Sequence, residues 1–262
     1  MNLSAGNIVG SHTWLTPGWP APANVRAAVT TRFMHGVSPP PYDACNLGAR
    51  VGDDPSAVAE NRARLIETLA LPSPPHWLTQ VHGSAVAHVD DGNVQEPQAD
   101  AAMTREPGRV LAILTADCLP VLFCADDGST IAAAHAGWRG LSAGVLENTL
   151  DALQVARGNV LAWLGPAIGP QSYEVGDEVR DAFLAHDPQA AAAFVDVRQG
   201  HWHCDLYALA TQRLRASGVA RIFGGGFDTF ADPRFYSYRR DGAHSGRFAT
   251  LIWLATATEK TD

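Results

Sequence analysis

Arg109–Gly140 reads RVLAILTADCLPVLFCADDGSTIAAAHAGWRG. VLAILT and LPVLFCA are apolar runs of strand length, parted only by Ala116-Asp117-Cys118. Asp126-Asp127-Gly128 is a hairpin turn, with a glycine free to take positive φ. TIAAAHA is the returning strand. Cys118 lies nine residues before Asp127 and His135 seven after Gly128, so both fall near the open end of one hairpin. A thiol and an imidazole are thus brought together where strands give way to loop.

Working outward, VRAAVTTR (Val25–Arg32) reads as a strand, and the Gly/Pro/Asn/Asp-rich segment 33–54 as an extended surface loop. Asp54-Pro55 starts a helix: the carboxylate accepts from free backbone N–H groups, and proline fits the first helical position. HWLTQVHGSAVAHVD reads as one or two strands broken at Gly83. GWRGLSAGVLENTLDAL reads as one helix and NVLAWL as another buried strand. GDEVRDAFLAHD is a helix, and HWHCDLYALATQRLRASGV is a strand followed by a helix that closes at Gly218. FYSYRRDGAHSGRFATLIWLATA reads as a loop between two strands. Strands, hairpins and helices mix without strict βαβ alternation, which predicts an α+β fold in a single unit, residues 1–262. FGGGF (Phe223–Phe227) is too short for a nucleotide fingerprint.

His82, in TQVHG, is the third candidate for the Cys118/His135 site, next to a glycine that lets backbone or ligand approach. One cysteine and two histidines suit two jobs. They can hold Zn²⁺, with three protein ligands and one open position; a zinc ion lowers the pKa of water from about 15.7 to roughly 7. They can also form a nucleophilic pair in which imidazole activates the thiol. The competing reading is plain: a cysteine on an apolar strand is usually a small buried residue. Asp117 is an acid in an otherwise apolar run, and Gly137–Gly140 form a loop-to-helix start where N–H groups and Arg139 favour an anion.

A net charge of −8 over 262 residues disfavours nucleic acid or an anionic membrane as partner. The four cysteines make no CxxC pair, so a disulfide framework is not expected and a reducing cytoplasm fits. The N-terminus has no signal-peptide pattern, and no apolar run is long enough to span a membrane.

TQVHG (Thr79–Gly83), TADCLPVLF (Thr115–Phe123), AAAHAGWRG (Ala132–Gly140), GPAIGPQSYEVG (Gly165–Gly176), FYSYRRDGAHSGRFATLIW (Phe235–Trp253) and NLGARVGDDPSAVAENR (Asn46–Arg62) occur in this order. Together they resemble the YfiH, or laccase-domain (polyphenol oxidoreductase), family over nearly the whole chain. The resemblance implies a layered α/β/β/α domain of mixed sheets with flanking helices, and a metal site at His82, Cys118 and His135. It implies zinc, with copper linked to the older laccase label. It also implies phosphorolysis of adenosine, inosine, guanosine and methylthioadenosine, with deamination of adenosine. Where the family often has Cys-Thr near the C-terminal strand, this chain has Asp228-Thr229.

The residue chemistry accommodates these activities. Deamination suits a zinc-activated water attacking C6 of adenine, with Asp117 as proton carrier. Arg139, Arg239 and Arg240 are candidates for holding phosphate, since arginine presents a planar fork to it. Asn46 and Gln80 are candidates for reading a ribose hydroxyl or purine edge. Cys45 is a candidate neighbour of the pocket; Cys124 and Cys204 read as structural. His201 and His203 in HWHC read as an exposed strand pair, and His35, His76, His88, His186 and His244 as solvated. Three other functions compete: a cysteine hydrolase using Cys118 and His135 on an amide, a copper-dependent polyphenol oxidase, and a non-catalytic binding module. The last would need a structural zinc with all four positions filled by protein.

Overall fold

The computed structural model describes residues 13–89 and 96–256, together with the backbone of 9–10. The decisive stretch forms strands Val110–Thr115 and Leu119–Ala125, and the corner 116–118 carries the chain from one sheet into another. The corner is sharp because Asp117 takes φ 92°, a left-handed conformation that a β-carbon disfavours. The expected hairpin follows: Leu119–Ala125 pairs antiparallel with Ile131–Ala136, and Gly128 takes φ 70° in the turn.

The first sheet has five strands, ordered Val9–Gly10, Trp14–Thr16, Val25–Thr30, Phe248–Leu254 and Val110–Thr115, all antiparallel. The second has six, ordered Arg221–Gly224, Val160–Leu164, Leu119–Ala125, Ile131–Ala136, Ala101–Thr104 and Val86–His88. Its inner pairs are antiparallel and its outermost pairs parallel. A three-stranded sheet, Glu174–Gly176, His201–Cys204 and Phe194–Arg198, stands beside them.

Alternation along each strand builds the layers. Leu119, Val121 and Phe123 pack with Leu146, Leu150 and Leu209 on the helical side. Leu122 and Cys124 point the other way and meet Leu111, Ile113, Phe248 and Ile252 between the two sheets. Val110, Ala112, Leu251 and Trp253 cover the far side of the first sheet and pack with Leu65 of helix Pro55–Thr68. The order is helix, sheet, sheet, helix, as the resemblance implies.

Local expectations fare unevenly. Asp54 caps its helix by accepting from the Ser56 N–H at 2.8 Å. The helix expected after Gly137 is two helices, Trp138–Ser142 and Val145–Leu153, because Gly144 at φ 91° breaks the run. Between 76 and 88 only Val86–His88 is a strand; the rest follows an extended path with single bridges His76↔Leu111 and Thr79↔Gln98. The 33–54 segment is not simply a surface loop. Met34, Cys45, Asn46 and Leu47 are fully buried, and Asn61 satisfies the folded loop by bonding Val37 N, Ser38 Oγ and the Asn46 carbonyl. Cys45 therefore sits in the core under helix Pro55–Thr68, away from any cleft. His201–Cys204 is the middle strand of its sheet and half-buried rather than exposed, with His201 Nδ1 2.9 Å from Glu174 Oε1. All four cysteines are unpaired.

Candidate active site

The hairpin register sets two of the three side chains. Pro120 pairs with His135, and Leu119 with Ala136, so Cys118 lies just beyond the strand end that carries His135. His82 enters from the 81–83 turn, where its own φ is 61°. The ligand atoms of His82, Cys118 and His135 all lie within 4.8 Å of one another. Cys118 Sγ is 3.9 Å from His82 Nε2, and the two imidazole rings meet edge-on at 4.8 Å between centroids. Backbone must pass close by. A β-carbon on Gly137 would stand 2.9 Å from Cys118 Sγ and 3.1 Å from His82 Cδ2. His82 is exposed, Cys118 half-buried and His135 buried, which leaves the cluster open on one side.

Asp100 lies behind it, fully buried. Its carboxylate is 2.8 Å from His135 Nδ1 and accepts from the N–H groups of Val81, His82 and Gly83 at 3.1, 2.9 and 2.7 Å. Burial pushes this carboxyl up, but the His135 hydrogen bond and the N–H donors outweigh it, leaving it below the usual carboxylate range. Burial also pushes the Cys118 thiol up, yet the charge and hydrogen bond of His135, helped by His82, bring it down to about 6. His135 moves oppositely: burial pulls it down, and Cys118 and Asp100 raise it to about 9. Both shifts run in the direction that favours a thiolate–imidazolium pair in the metal-free cluster.

The cluster forms one wall of a cleft of about 600 Å³. Arg139 and Arg239 line it, and so do Trp138 and Tyr173. Arg139 is exposed, with its guanidinium 4.3 Å over the Trp138 ring. The helix expected to present an N-terminus there is only five residues long, which leaves the Arg139 side chain as this segment's cationic group at the cleft. Arg239 lies 5.3 Å over the Tyr173 ring and donates to the Glu174 carbonyl at 2.8 Å. Asp117 lines the cleft, but both its oxygens are engaged, by Thr229 Oγ1 at 2.7 Å and by the Arg239 N–H at 2.7 Å. Next to Thr229, Asp228 accepts from Gly169 N and Ser172 Oγ. The Asp228-Thr229 departure thus ties the 165–172 loop to the corner at Asp117.

The other expected contacts fall differently. Gln80 reaches the cleft, but both ends of its amide are held by the Leu114 backbone, at 2.8 and 2.9 Å. Asn46 does not line it: its buried amide bonds Gly48, Asp53 and the Arg247 N–H, fastening the loop. Arg240 is likewise spent on structure, donating to the carbonyls of Thr229, Phe230 and Phe235 and to Asp241.

The family model described as multi-copper polyphenol oxidoreductase laccase matches residues 26–255. This chain belongs to the laccase-domain family. It is 56% identical over 245 residues to a purine nucleoside phosphorylase of Pseudomonas aeruginosa, covering 93% of this chain and 99% of that one. It is 52% identical over 241 residues to the purine nucleoside phosphorylase YfiH of Escherichia coli, covering 92% and 98%. The crystal structure of a Neisseria meningitidis protein superposes with a TM-score of 0.89 at 46% identity, over 93% of this chain and all of that one. The Bacillus licheniformis YfiH structure gives 0.87 at 28% identity, over 93% and 97%.

Around this laccase-domain site, two side chains escape a sequence reading. Asp100 stands in ADAAMT as a lone acid at the mouth of an apolar strand, and that isolation is its one signal. Arg247 lines the cleft with Nη1 on the Ser245 and Gly246 carbonyls, and burial lowers its pKa. Its signal is a guanidinium at the head of the buried strand FATLIWL.

Proposed function

We propose that this chain is a zinc-dependent purine nucleoside phosphorylase acting on adenosine, inosine, guanosine and methylthioadenosine, with adenosine deamination as a second activity. The observation that carries this reading is the shared cleft. A Cys/His₂ donor set, arginines at Arg139, Arg239 and Arg247, and the flat faces of Trp138, Tyr173 and Tyr238 line a single cavity of nucleoside size. The names of the curated relatives point the same way.

Two imidazoles and a thiolate suit zinc, and three protein ligands leave a position for a reactant. His82, Cys118 and His135 would hold the ion, which when bound supplies a Lewis acid and lowers the pKa of water. The same donors take copper by affinity, the metal in the family's description.

In phosphorolysis the C1′–N bond to the purine breaks, a bond from C1′ to a phosphate oxygen forms, and the base leaves with a proton. Arg139 binds the phosphate, and Arg239 and Arg247 offer the N–H groups their carbonyl contacts leave free. Asp117 holds the Arg239 N–H through one oxygen; its other oxygen would have to release Thr229 Oγ1 to carry a proton in deamination, where water replaces the C6 amine as ammonia. Gln80, Asn46 and Arg240 are left out of substrate contact because backbone groups already hold them. The three apolar cores share strands, so the chain works as one catalytic domain. Unpaired cysteines suit a reducing cytoplasm, and the acidic charge suits a small-molecule substrate better than a nucleic acid.

The test is chromatography of adenosine incubated with the zinc-loaded protein, with and without phosphate. Phosphate-dependent adenine and ribose 1-phosphate are expected; adenosine left intact in both arms overturns the reading. The lowered Cys118 thiol favours one alternative, a covalent cysteine hydrolase. That reading predicts amidase activity that iodoacetamide abolishes and chelation leaves intact.

A further inference from the structure

We infer that Asp100 is the positioning residue of the metal centre, one buried carboxylate that sets the orientation of both histidine ligands at once. The inference rests on the metal reading above and concerns how this chain prepares the site.

His82 and His135 come from different elements, a turn and a strand, and Asp100 joins them. Oδ1 takes the His82 N–H at 2.9 Å and faces His135 Nδ1 at 2.8 Å. Oδ2 takes the N–H groups of Val81 and Gly83 at 3.1 and 2.7 Å. The Asp100 carbonyl also accepts the His135 N–H at 2.7 Å. Three consecutive N–H groups turned onto one carboxylate require a tight turn, and His82 supplies it at φ 61°. Charge-assisted bonds offset the strain of that conformation. A proton held on His135 Nδ1 leaves the Nε2 lone pair free for a cation. Charge completes the case. A divalent ion with the Cys118 thiolate alone would leave a net positive centre beside buried His135, and the Asp100 carboxylate neutralises it.

Asp100→Asn keeps the shape but turns an amide N–H₂ toward backbone donors. Asp100→Ala removes the contact altogether. Zinc affinity, measured by competition with a chromophoric chelator, should fall about ten- to a hundredfold in either variant, and the cobalt(II) spectrum should change its ligand-field bands. Wild-type affinity and an unchanged cobalt spectrum in both variants would overturn the inference. If neither variant folds, nitrogen-15 imidazole shifts of zinc-loaded wild-type protein decide. Protonation of His135 at Nδ1 supports the inference, and protonation at Nε2 alone overturns it. Failure of wild-type protein to bind zinc removes the metal reading and this inference together, whereas zinc binding indifferent to residue 100 removes this inference alone.

Discussion

Gly137→Ala adds one carbon where the ligands converge. Gly137 has φ −61° and ψ 156°, which alanine adopts freely, so the backbone contributes nothing to the effect. The new β-carbon would lie 2.9 Å from Cys118 Sγ, 3.1 Å from His82 Cδ2 and 3.6 Å from Cys118 Cβ. Ordinary contacts between such atoms are about 3.5–4.0 Å, so sulfur or ring must yield by roughly half an ångström. Metal-ligand distances tolerate only about 0.2 Å. In metal-free protein Cys118, half-buried at the cleft, can turn aside and relieve the clash. With metal bound it cannot, and overpacking of this kind costs about 1–3 kcal/mol. Zinc affinity should then fall about 5- to 150-fold, with little change in the stability of the metal-free fold. Competition titration measures the first and urea unfolding the second. Gly158→Ala is the control, because nothing lies within 4 Å of a β-carbon there. Wild-type zinc affinity in Gly137→Ala would refute this placement of Cys118 and His82.

Metal-free protein should be alkylated by iodoacetamide at Cys118 alone, with a rate midpoint near pH 6, since that thiol is held at about 6 while Cys45 and Cys124 are pushed up to about 12. A midpoint near 8.5, the ordinary thiol value, contradicts the ion pair. Arg139→Ala should raise the KM for phosphate at least about tenfold, the size of one lost charge-assisted contact, and leave urea unfolding unchanged; steady-state kinetics checks it. Arg240→Ala should do the reverse, costing about 1.5–3 kcal/mol of stability with phosphate KM unmoved. Asn46→Ala should cost about 1–3 kcal/mol by urea unfolding, because it strands the buried N–H groups of Gly48 and Arg247.

Much of the fold was legible because alternation is local information. Leu119, Val121 and Phe123 against Leu122 and Cys124 already divide one strand between two cores, and the Asp126-Asp127-Gly128 turn fixes its partner. The motifs around His82, Cys118 and His135 were legible for the same reason: each is a short string. What remained hidden depends on partners far along the chain. Asp100 matters because residues 81–83 fold onto it, and nothing in ADAAMT says so. Asn46 looks like a substrate ligand until the distant Arg247 N–H is seen to take its oxygen, and Arg240, a nearer case, until the Thr229, Phe230 and Phe235 carbonyls are seen to take its guanidinium. Gly144 looks like a tolerated helix glycine until its left-handed φ splits the helix.

Metal analysis of purified protein, paired with Cys118→Ala, tests the convergence of the three side chains most directly. The account predicts about one zinc per chain in the wild type and almost none in the variant, with both proteins folded. A wild type that takes up no zinc, or a variant that retains it in full, would contradict the account.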